Sequence, residues 1–471
     1  MKNALHRRSF LQAALLAGGA VALHRSFGSI VPSARADGTK PRLMLLVYFE
    51  GGWDQLLALD PRANDDARFS EEMAYKPGGS GIHPAYDRVT DPAVKSLLAS
   101  KPSGIQTASS GNLTFGPAIP PALLAHGGDL CIARGVAMDT LAHEVGRRYF
   151  LTGKFPRGLA ANGSAITTVV AAGNEPSALP NLAISTESYA ESQPTFAAPV
   201  TVGSAADVLR VLGPLGDPLD PAAAAAIAEF EKERSCEARA YDGAGLVKTY
   251  EENRLRSRSL ASSSVSKLFQ FNATKPNADV QPLFEALDIH TAADLNGDKG
   301  RAALAAQALQ RGVSRAVSVR LADGLDTHDD WESEHAQTLR PSFDVLGRLI
   351  SYLKSVPLAG TTESVWAHTT MIVFSDFART PLLNVRGGRD HHLASSCLLA
   401  GPGLKKGVVV GGTTDVQMAA RNIDPKTGLA VETGGIRMRP ADIHATLLTS
   451  MGMPTAQISN QSPVIVPALL A

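Results

Sequence analysis

The chain has 471 residues, of which 44% are hydrophobic and 19% charged, and its 45 basic residues balance 45 acidic ones. This apolar, weakly charged composition excludes a largely disordered chain, and the lack of net charge or of a basic block argues against a general nucleic-acid binder. The length suits one large domain or two ordinary ones with a sizeable core. We therefore expect a compact globular protein, either an enzyme or a relative of one.

The first 36 residues have the features of an export signal. A twin-arginine pair, Arg7-Arg8, is followed by a soft apolar run at 13–23 and by small residues at 34–36, where a signal peptidase cleaves. The apolar run is too short for a bilayer-spanning helix, which requires roughly 20 residues. We therefore predict a twin-arginine signal peptide at 1–36 and a periplasmic or extracellular mature protein without a stable membrane span.

The mature chain would be mildly acidic, with a net charge near −5, because the signal holds five basic residues and no acidic ones. Its three cysteines, Cys131, Cys236 and Cys397, are odd in number and lack CxxC spacing. At most one disulfide can therefore form, and a cysteine-based metal site is excluded.

Apolar, β-rich runs at 43–49, 313–321 and 371–374 have the pattern of buried strands in a parallel sheet, and a further run at 396–400 follows them. Each of the first three runs ends at a polar cluster that contains an aspartate. In open α/β sheets, ligands bind beyond the carboxyl ends of the strands. The sequence therefore predicts a site at this edge of the sheet.

Helical patterns occupy 300–311 and 341–353, between the predicted strands. A proline-marked linker opens another long helical stretch, so we interpret 217–300 as a helical insertion that caps the sheet edge. The sequence shows no internal repeat. We expect residues 37–471 to form a single domain.

Carboxylates and imidazoles follow the predicted strands in a recurring pattern. In chain order they are Asp54, Asp326, His328, Asp376, Asp390 and His391. Oxygen and imidazole donors that converge from several strand ends are typical of a divalent metal site. Two metals about 4 Å apart could activate a nucleophile and stabilise a leaving oxygen.

Six segments in a distinctive order resemble a bacterial family known as domain of unknown function 1501. They are the twin-arginine signal, YFEGGWDQL, LAHEVGRRYFLTG, DTHDDW, FSDFARTP and GGRDHH. The resemblance extends over about residues 40–455. It implies the alkaline-phosphatase-like, sulfatase-like fold, which is a three-layer α/β sandwich with a mostly parallel central sheet and helices on both faces.

The resemblance also implies a set of metal ligands. Asp54 matches the first metal-binding aspartate of the superfamily, and Asp326 matches the D-T-H motif. Asp376 takes the place of the family's glutamate, while Asp390 and His391 match its D-H pair. These five residues are expected to hold one or two divalent ions, which could be Zn, Mn, Ca or Mg.

Three further residues are expected to contribute to catalysis. His328 completes the D-T-H motif as a ligand or proton donor, and His143 matches the histidine of the family's S-H pair. Arg379 matches the arginine of the R-T motif, where it could bind an anionic substrate group or form a structural salt bridge.

The sequence departs from the family where a nucleophile is expected. Ala142 stands where the family often has serine, and the nearby Thr140 is poorly placed to replace it. Gln55 replaces a family glycine after Asp54. If the protein is catalytic, water would have to replace the missing hydroxyl as the attacking group.

Two functions follow from these observations. The first is an exported, metal-dependent hydrolase of phosphate or sulfate esters, on a small molecule or on a polymer. The alternative is a non-catalytic or degenerate member that binds a cell-surface polymer or a protein partner and keeps one structural ion. An open coordination position would favour the first, because a structural ion has all its positions filled by protein.

Overall fold

The computed structural model describes residues 41–158, 160–174, 177–212, 220, 222–223, 225–227, 229–230 and 264–471. The predicted signal peptide, Cys236 and most of the first half of the predicted insertion lie outside the described residues. The two described cysteines, Cys131 and Cys397, are buried as free thiols.

An eight-stranded sheet forms the centre of the protein. In chain order, the strands of this sheet and of three small two-stranded sheets are β1 (Leu43–Phe49), β2 (Gln106–Thr107), β3 (Thr114–Phe115), β4 (Cys131–Ala137), β5 (Asn181–Ile184), β6 (Val200–Val202), β7 (Ala316–Ala322), β8 (Thr369–Ser375), β9 (Ala378–Arg379), β10 (His391–His392), β11 (Ala394–Ala400), β12 (Val408–Gly411), β13 (Asn422–Ile423) and β14 (Ile436–Arg437).

The strand order in the large sheet is β12-β4-β11-β8-β1-β7-β5-β6. Every pairing is parallel except those of β11, which runs antiparallel to both β4 and β8. Strand β1 lies between β7 and β8, so Leu45 pairs with Val317 on one side and with Met371 on the other. The three predicted strands are therefore neighbours, and their carboxyl ends lie side by side.

Helices pack on both faces of the sheet. In chain order they are α1 (Glu71–Tyr75), α2 (Pro92–Ser100), α3 (Pro121–Leu124), α4 (His143–Thr152), α5 (Ile166–Ala172), α6 (Ala205–Leu212), α7 (Gln281–Ala286), α8 (Ala292–Asn296), α9 (Asp298–Gln310), α10 (Trp331–Ser355) and α11 (Pro440–Ser450).

Successive side chains of β1 point to opposite faces of the sheet, and the core is divided into two halves on these faces. Leu43, Leu45 and Val47 belong to the half that contains the apolar residues of α9 and α10. Met44 and Leu46 point to the opposite face and belong to the half formed by α4, α5 and α11. All seven residues of β1 are buried, as expected for a central parallel strand with both faces covered. The predicted α/β class with a mostly parallel, helix-flanked sheet is confirmed.

The main boundary difference concerns α10, which begins ten residues before the predicted helix at 341–353 and includes Pro341. A proline inside a helix removes one backbone hydrogen bond and usually marks a boundary. Here the helix continues because residues of its first half, including Trp331, His335 and Leu339, are buried. Among the helices that the structure describes, none has the length and apolar character that crossing a bilayer requires.

Candidate metal centre at the carboxyl edge of the sheet

The site is formed where β1, β7 and β8 end and where the start of α4 meets the loop before β11. Gly51, which follows β1, has a φ of +108°, and a Cβ atom there would lie 2.6 Å from the backbone nitrogen of Asp326. Only glycine allows these two loops to approach so closely. A second glycine, Gly146, brings α4 against the end of β8, since a Cβ there would lie 2.2 Å from the carbonyl oxygen of Asp376.

Three imidazole rings converge at this place. The Nε2 atom of His391 lies 2.8 Å from Nε2 of His328 and 3.1 Å from Nε2 of His143. His328 comes from the loop after β7, His143 is the first residue of α4, and His391 begins β10. Residues that are far apart in the sequence therefore bring the Nε2 atoms of His143 and His328 next to that of His391.

The other ring nitrogen of each histidine faces an acceptor. Nδ1 of His143 lies 2.8 Å from a carboxylate oxygen of Asp376, and Nδ1 of His328 lies 2.8 Å from one of Asp390. Nδ1 of His391 lies 2.6 Å from the carbonyl oxygen of Leu141. Each Nδ1 therefore carries the proton and donates it, which leaves the lone pair of a neutral ring on Nε2.

Asp326 adds an oxygen to the three nitrogens. Its Oδ1 atom lies 3.1 Å from Nε2 of His328 and 3.3 Å from Nε2 of both His143 and His391. Partial burial tends to raise the pKa of this carboxyl group, but the ion pair with Arg379 outweighs it and lowers the pKa to about 2. Asp326 is therefore an anion at neutral pH.

This donor set fits a divalent cation. Two lone pairs 2.8 Å apart repel each other unless a proton or a cation lies between them, and one proton cannot serve both contacts of His391. Zinc–nitrogen distances of about 2.0–2.1 Å in a tetrahedron separate neighbouring ligand atoms by about 3.3 Å, close to the separations observed here. The donor atoms of His143, Asp326 and His391 all lie within 4.8 Å of one another, whereas His328, which contacts His391 and Asp326, is not part of this group.

The pKa values of His391 and His143 shift in opposite directions. Burial lowers the pKa of His391, which keeps its ring neutral and its lone pair available. Burial also acts to lower the pKa of His143, but the hydrogen bond and charge of Asp376 prevail and raise it. A bound cation would compete with a proton for the His143 ring.

Asp376 is predicted as a metal ligand, but in the structure it contacts the ring of His143. Its side chain is fully buried, and its carboxylate accepts hydrogen bonds from the Tyr48 hydroxyl, from the Gly51 backbone nitrogen at 2.9 Å and from His143. Both oxygens are occupied by these donors. Such a carboxylate fixes the ring orientation of a metal-binding histidine and makes it more basic.

Asp390, also predicted as a ligand, has the same role for His328. The oxygen that faces Nδ1 of His328 also accepts from the Asn384 side-chain amide at 3.0 Å. Asn384 in addition donates to the backbone carbonyl of His328 at 2.9 Å. These contacts fix both the ring and the backbone of His328.

Asp54 lies in a separate polar network. Its carboxylate accepts hydrogen bonds from the Trp331 indole at 2.8 Å and from the Leu56 backbone nitrogen at 2.8 Å, and it lies 3.0 Å from Nε of Arg389. Asp54 and Arg389 are both almost fully buried. Asp54 is not among the residues grouped around His391, so the ligand role predicted for it is not carried into the proposal below.

Arg379 is buried and held by the protein. Its guanidinium donates to the backbone carbonyls of Gly51, Gly52 and Arg389 and pairs with Asp326. These contacts fix the loop after β1 against Asp326. Of the two roles considered for Arg379, these contacts support the structural salt bridge.

Ala142 is the residue before α4 and forms no side-chain cap. The Thr140 hydroxyl accepts a hydrogen bond from the Ala142 backbone nitrogen at 3.1 Å, so it stabilises the turn that precedes the helix. Neither residue presents a nucleophile.

Sequence reasoning did not identify Tyr48, Asn384 or the Leu141 carbonyl, which hold Asp376, His328 and His391 in place. Tyr48 is the one hydroxyl-bearing side chain in the otherwise apolar β1. That polar atom in a buried strand was the available signal, because a buried hydroxyl requires a partner.

The family described as protein of unknown function (DUF1501) matches residues 41–461. The chain belongs to this family. The match includes all the residues of the metal centre described above, so the cluster is part of the family domain. A search of curated proteins finds no relative of this sequence.

Two solved structures show distant similarity. One is the lipoteichoic acid synthase LtaP from Listeria monocytogenes, with 9% identity, a TM-score of 0.34, and coverage of 96% of this chain and 79% of LtaP. The other is Ps i-CgsB in complex with k-i-k-neocarrahexaose, with 9% identity, a TM-score of 0.35, and coverage of 91% of this chain and 76% of that chain. Both TM-scores are below 0.5, so the description of this fold depends on its own topology.

Proposed function

We propose that this protein binds a divalent metal ion through His143, His391 and Asp326, with His328 beside them as a further ligand or proton donor, and uses it to hydrolyse phosphate or sulfate esters outside the cytoplasm. The observation that carries the proposal is the convergence of three Nε2 atoms whose rings are oriented by Asp376, Asp390 and a backbone carbonyl. The location at the carboxyl edge of a mostly parallel sheet, where α/β proteins bind ligands, supports it.

The protein orients the rings of the cluster and leaves the cluster accessible to substrate and water. The side chains of Asp326, His328 and His143 are 48%, 30% and 22% exposed, so substrate and water can reach the cluster. Asp376 and Asp390 maintain the tautomers of two rings, and Arg379 keeps Asp326 ionised. A divalent ion held there would act as a Lewis acid on an ester oxygen.

The decisive experiment is elemental analysis of the mature protein, purified without chelators or a histidine tag. Wild type, His391→Ala and His290→Ala are compared, because His290 is an exposed histidine that is remote from the cluster in sequence and whose ring pairs with Asp288. We expect about one equivalent of metal in wild type and His290→Ala, and a marked loss in His391→Ala. Hydrolysis of 4-nitrophenyl phosphate and 4-nitrophenyl sulfate is then measured on the same three proteins.

A specific observation favours a second function, that of an exported binding protein with a structural ion. Ala142 stands where the family often has serine, so this position provides no hydroxyl nucleophile, and a bound ion could have a structural role alone. Stoichiometric metal without hydrolysis of either ester would support this second function. Absence of metal after incubation with Zn, Mn, Ca and Mg would exclude both.

Export is tested separately. Replacing Arg7 and Arg8 with lysine should retain the protein in the cytoplasm, because the twin-arginine pair is the recognised feature of the signal. Cell fractionation with an antibody measures the distribution. Normal export of the double variant would exclude the twin-arginine route.

A further inference from the structure

An apolar cavity opens directly beside the metal centre. It has a volume of about 490 Å³, and His391 and Asp390 form its inner end. Its walls include Leu141, Leu382 and Leu393. A volume of this size lies within the range of pockets that hold small organic ligands.

We propose that this cavity binds the uncharged, apolar part of the substrate, so that the preferred esters are those of aryl or short alkyl alcohols. This inference rests on the proposed ester hydrolysis, because it assigns the second half of the same substrate. The anionic group would lie at the cluster and the apolar group against the leucines.

The leucines at the mouth are unusually exposed. Leu141 and Leu393 keep 50% and 44% of their surface accessible, although both lie next to well-packed elements. Single exposed apolar residues are common on protein surfaces, but here two of them line one cavity next to a polar cluster. The Leu141 carbonyl also accepts from His391, so this wall is attached directly to the metal centre.

Several polar groups of the cavity are already engaged by the protein, although the half-exposed Arg437 and the Gln417 side chain also line it. The Thr380 hydroxyl donates to the Leu382 carbonyl at 3.0 Å and accepts from the Asp390 backbone nitrogen at 3.0 Å. The Asn384 amide bonds to His328 and Asp390, and Nε2 of His392 lies 2.9 Å from the Gln417 carbonyl. An apolar group loses no hydrogen bonds to water when it enters beside the leucines, so the apolar part of the wall favours such a group.

The far wall is held in a costly backbone conformation. Gln417 and Met418 have φ values of 55° and 51°, in the left-handed region that non-glycine residues seldom adopt. The Gln417 nitrogen donates to the Ser80 carbonyl at 2.8 Å, and its carbonyl is bound by His392. Such conformations concentrate at ligand sites, where the surrounding contacts maintain them.

The test measures equilibrium binding of methylphosphonate, phenylphosphonate and 1-naphthol to the metal-loaded protein by titration calorimetry. Phenylphosphonate should bind at least about tenfold more tightly than methylphosphonate, because the phenyl group buries additional apolar surface. The double variant Leu141→Ser, Leu393→Ser should remove most of this difference. Leu429→Ser, a matched control at an exposed leucine outside the cavity, should keep it.

The outcomes separate the two proposals. Equal affinity for the two phosphonates, unchanged in the double variant, overturns the cavity assignment and leaves ester hydrolysis standing. If neither phosphonate binds but 1-naphthol binds in a manner that depends on Leu141 and Leu393, the apolar cavity is supported and the ester function fails. If no aryl compound binds, the cavity assignment is wrong.

Discussion

Two polar networks lie at the same edge of the sheet, and they differ in whether the acceptor atoms at their centre are matched by donors or cations. In the network around Asp54, the carboxylate meets the Trp331 indole, backbone amides and Arg389, so its charge and hydrogen bonds are matched within the buried protein. In the cluster around His391, ring nitrogens with lone pairs face each other and remain partly exposed. The same residue types after similar strands are therefore paired within the protein in one place and left with unmatched lone pairs in another.

The largest effect is expected from Asp54→Asn. This change leaves the buried Arg389 guanidinium without its counter-charge, and breaking a buried ion pair from one side typically costs about 3–5 kcal/mol of unfolding free energy. Urea denaturation measures the loss, and metal analysis of the folded fraction should give the wild-type stoichiometry. Loss of metal at unchanged stability would instead place Asp54 with the ligands and remove the distinction between the two networks.

A smaller effect is expected from Asp376→Asn, which keeps the shape of the side chain and removes its charge. Changes to a carboxylate that orients a metal-binding histidine typically reduce metal affinity about 10–100-fold. Competition with a chromogenic chelator measures the affinity. Asp60→Asn serves as a control for removing a buried carboxylate, because Asp60 pairs with Arg62 at a distance from the cluster in sequence. Equal metal affinity in wild type and Asp376→Asn would show that Asp376 has only a structural role.

His444 should make the free energy of unfolding decrease at acidic pH, independently of the cluster around His391. Burial on α11 lowers its pKa to about 4, whereas the unfolded chain has the ordinary value near 6.5. The unfolded state therefore binds the proton first, and stability is lost as the pH falls from about 6.5 towards 4. Between pH 7 and pH 5 this linkage amounts to about 2 kcal/mol.

The measurement for His444 is urea denaturation at pH 7 and pH 5 on wild type and His444→Gln. The variant should lose the corresponding part of the pH dependence, even if its stability at pH 7 is reduced by the altered contact with the Phe150 carbonyl. An identical pH dependence in both proteins would contradict the assignment.

The smallest effect is expected from Ala142→Ser. Ala142 precedes α4 with extended backbone angles and provides no cap, so a serine hydroxyl there could accept from the first turn and add about 1 kcal/mol of stability. Thermal unfolding measures the gain, and Ala142→Val, which also enlarges the side chain but lacks a hydroxyl, is the control. Equal stabilisation by valine would show that packing and not capping is responsible.

The sequence by itself determined four of the eight strands of the large sheet, β1, β7, β8 and β11, and the edge at which the site forms. The run at 43–49 predicts β1 to the residue, because a buried central strand must be apolar on both faces. Strand ends followed by Asp326 and His328, and the loop with His391, also identify residues of the cluster from their position alone. The fold class follows from the same apolar runs and from the helical patterns between them.

Only the tertiary structure decided which polar side chains share a centre. Asp54 and Asp326 both follow strands, but Asp54 is paired by an arginine that is distant in the chain, while Asp326 is brought to three histidines. Asp376 and Asp390 reach the site through the histidines that they orient. Sequence spacing places a residue at the sheet edge, whereas the direction of its carboxylate depends on partners contributed by other loops, and those partners meet only when the chain is folded.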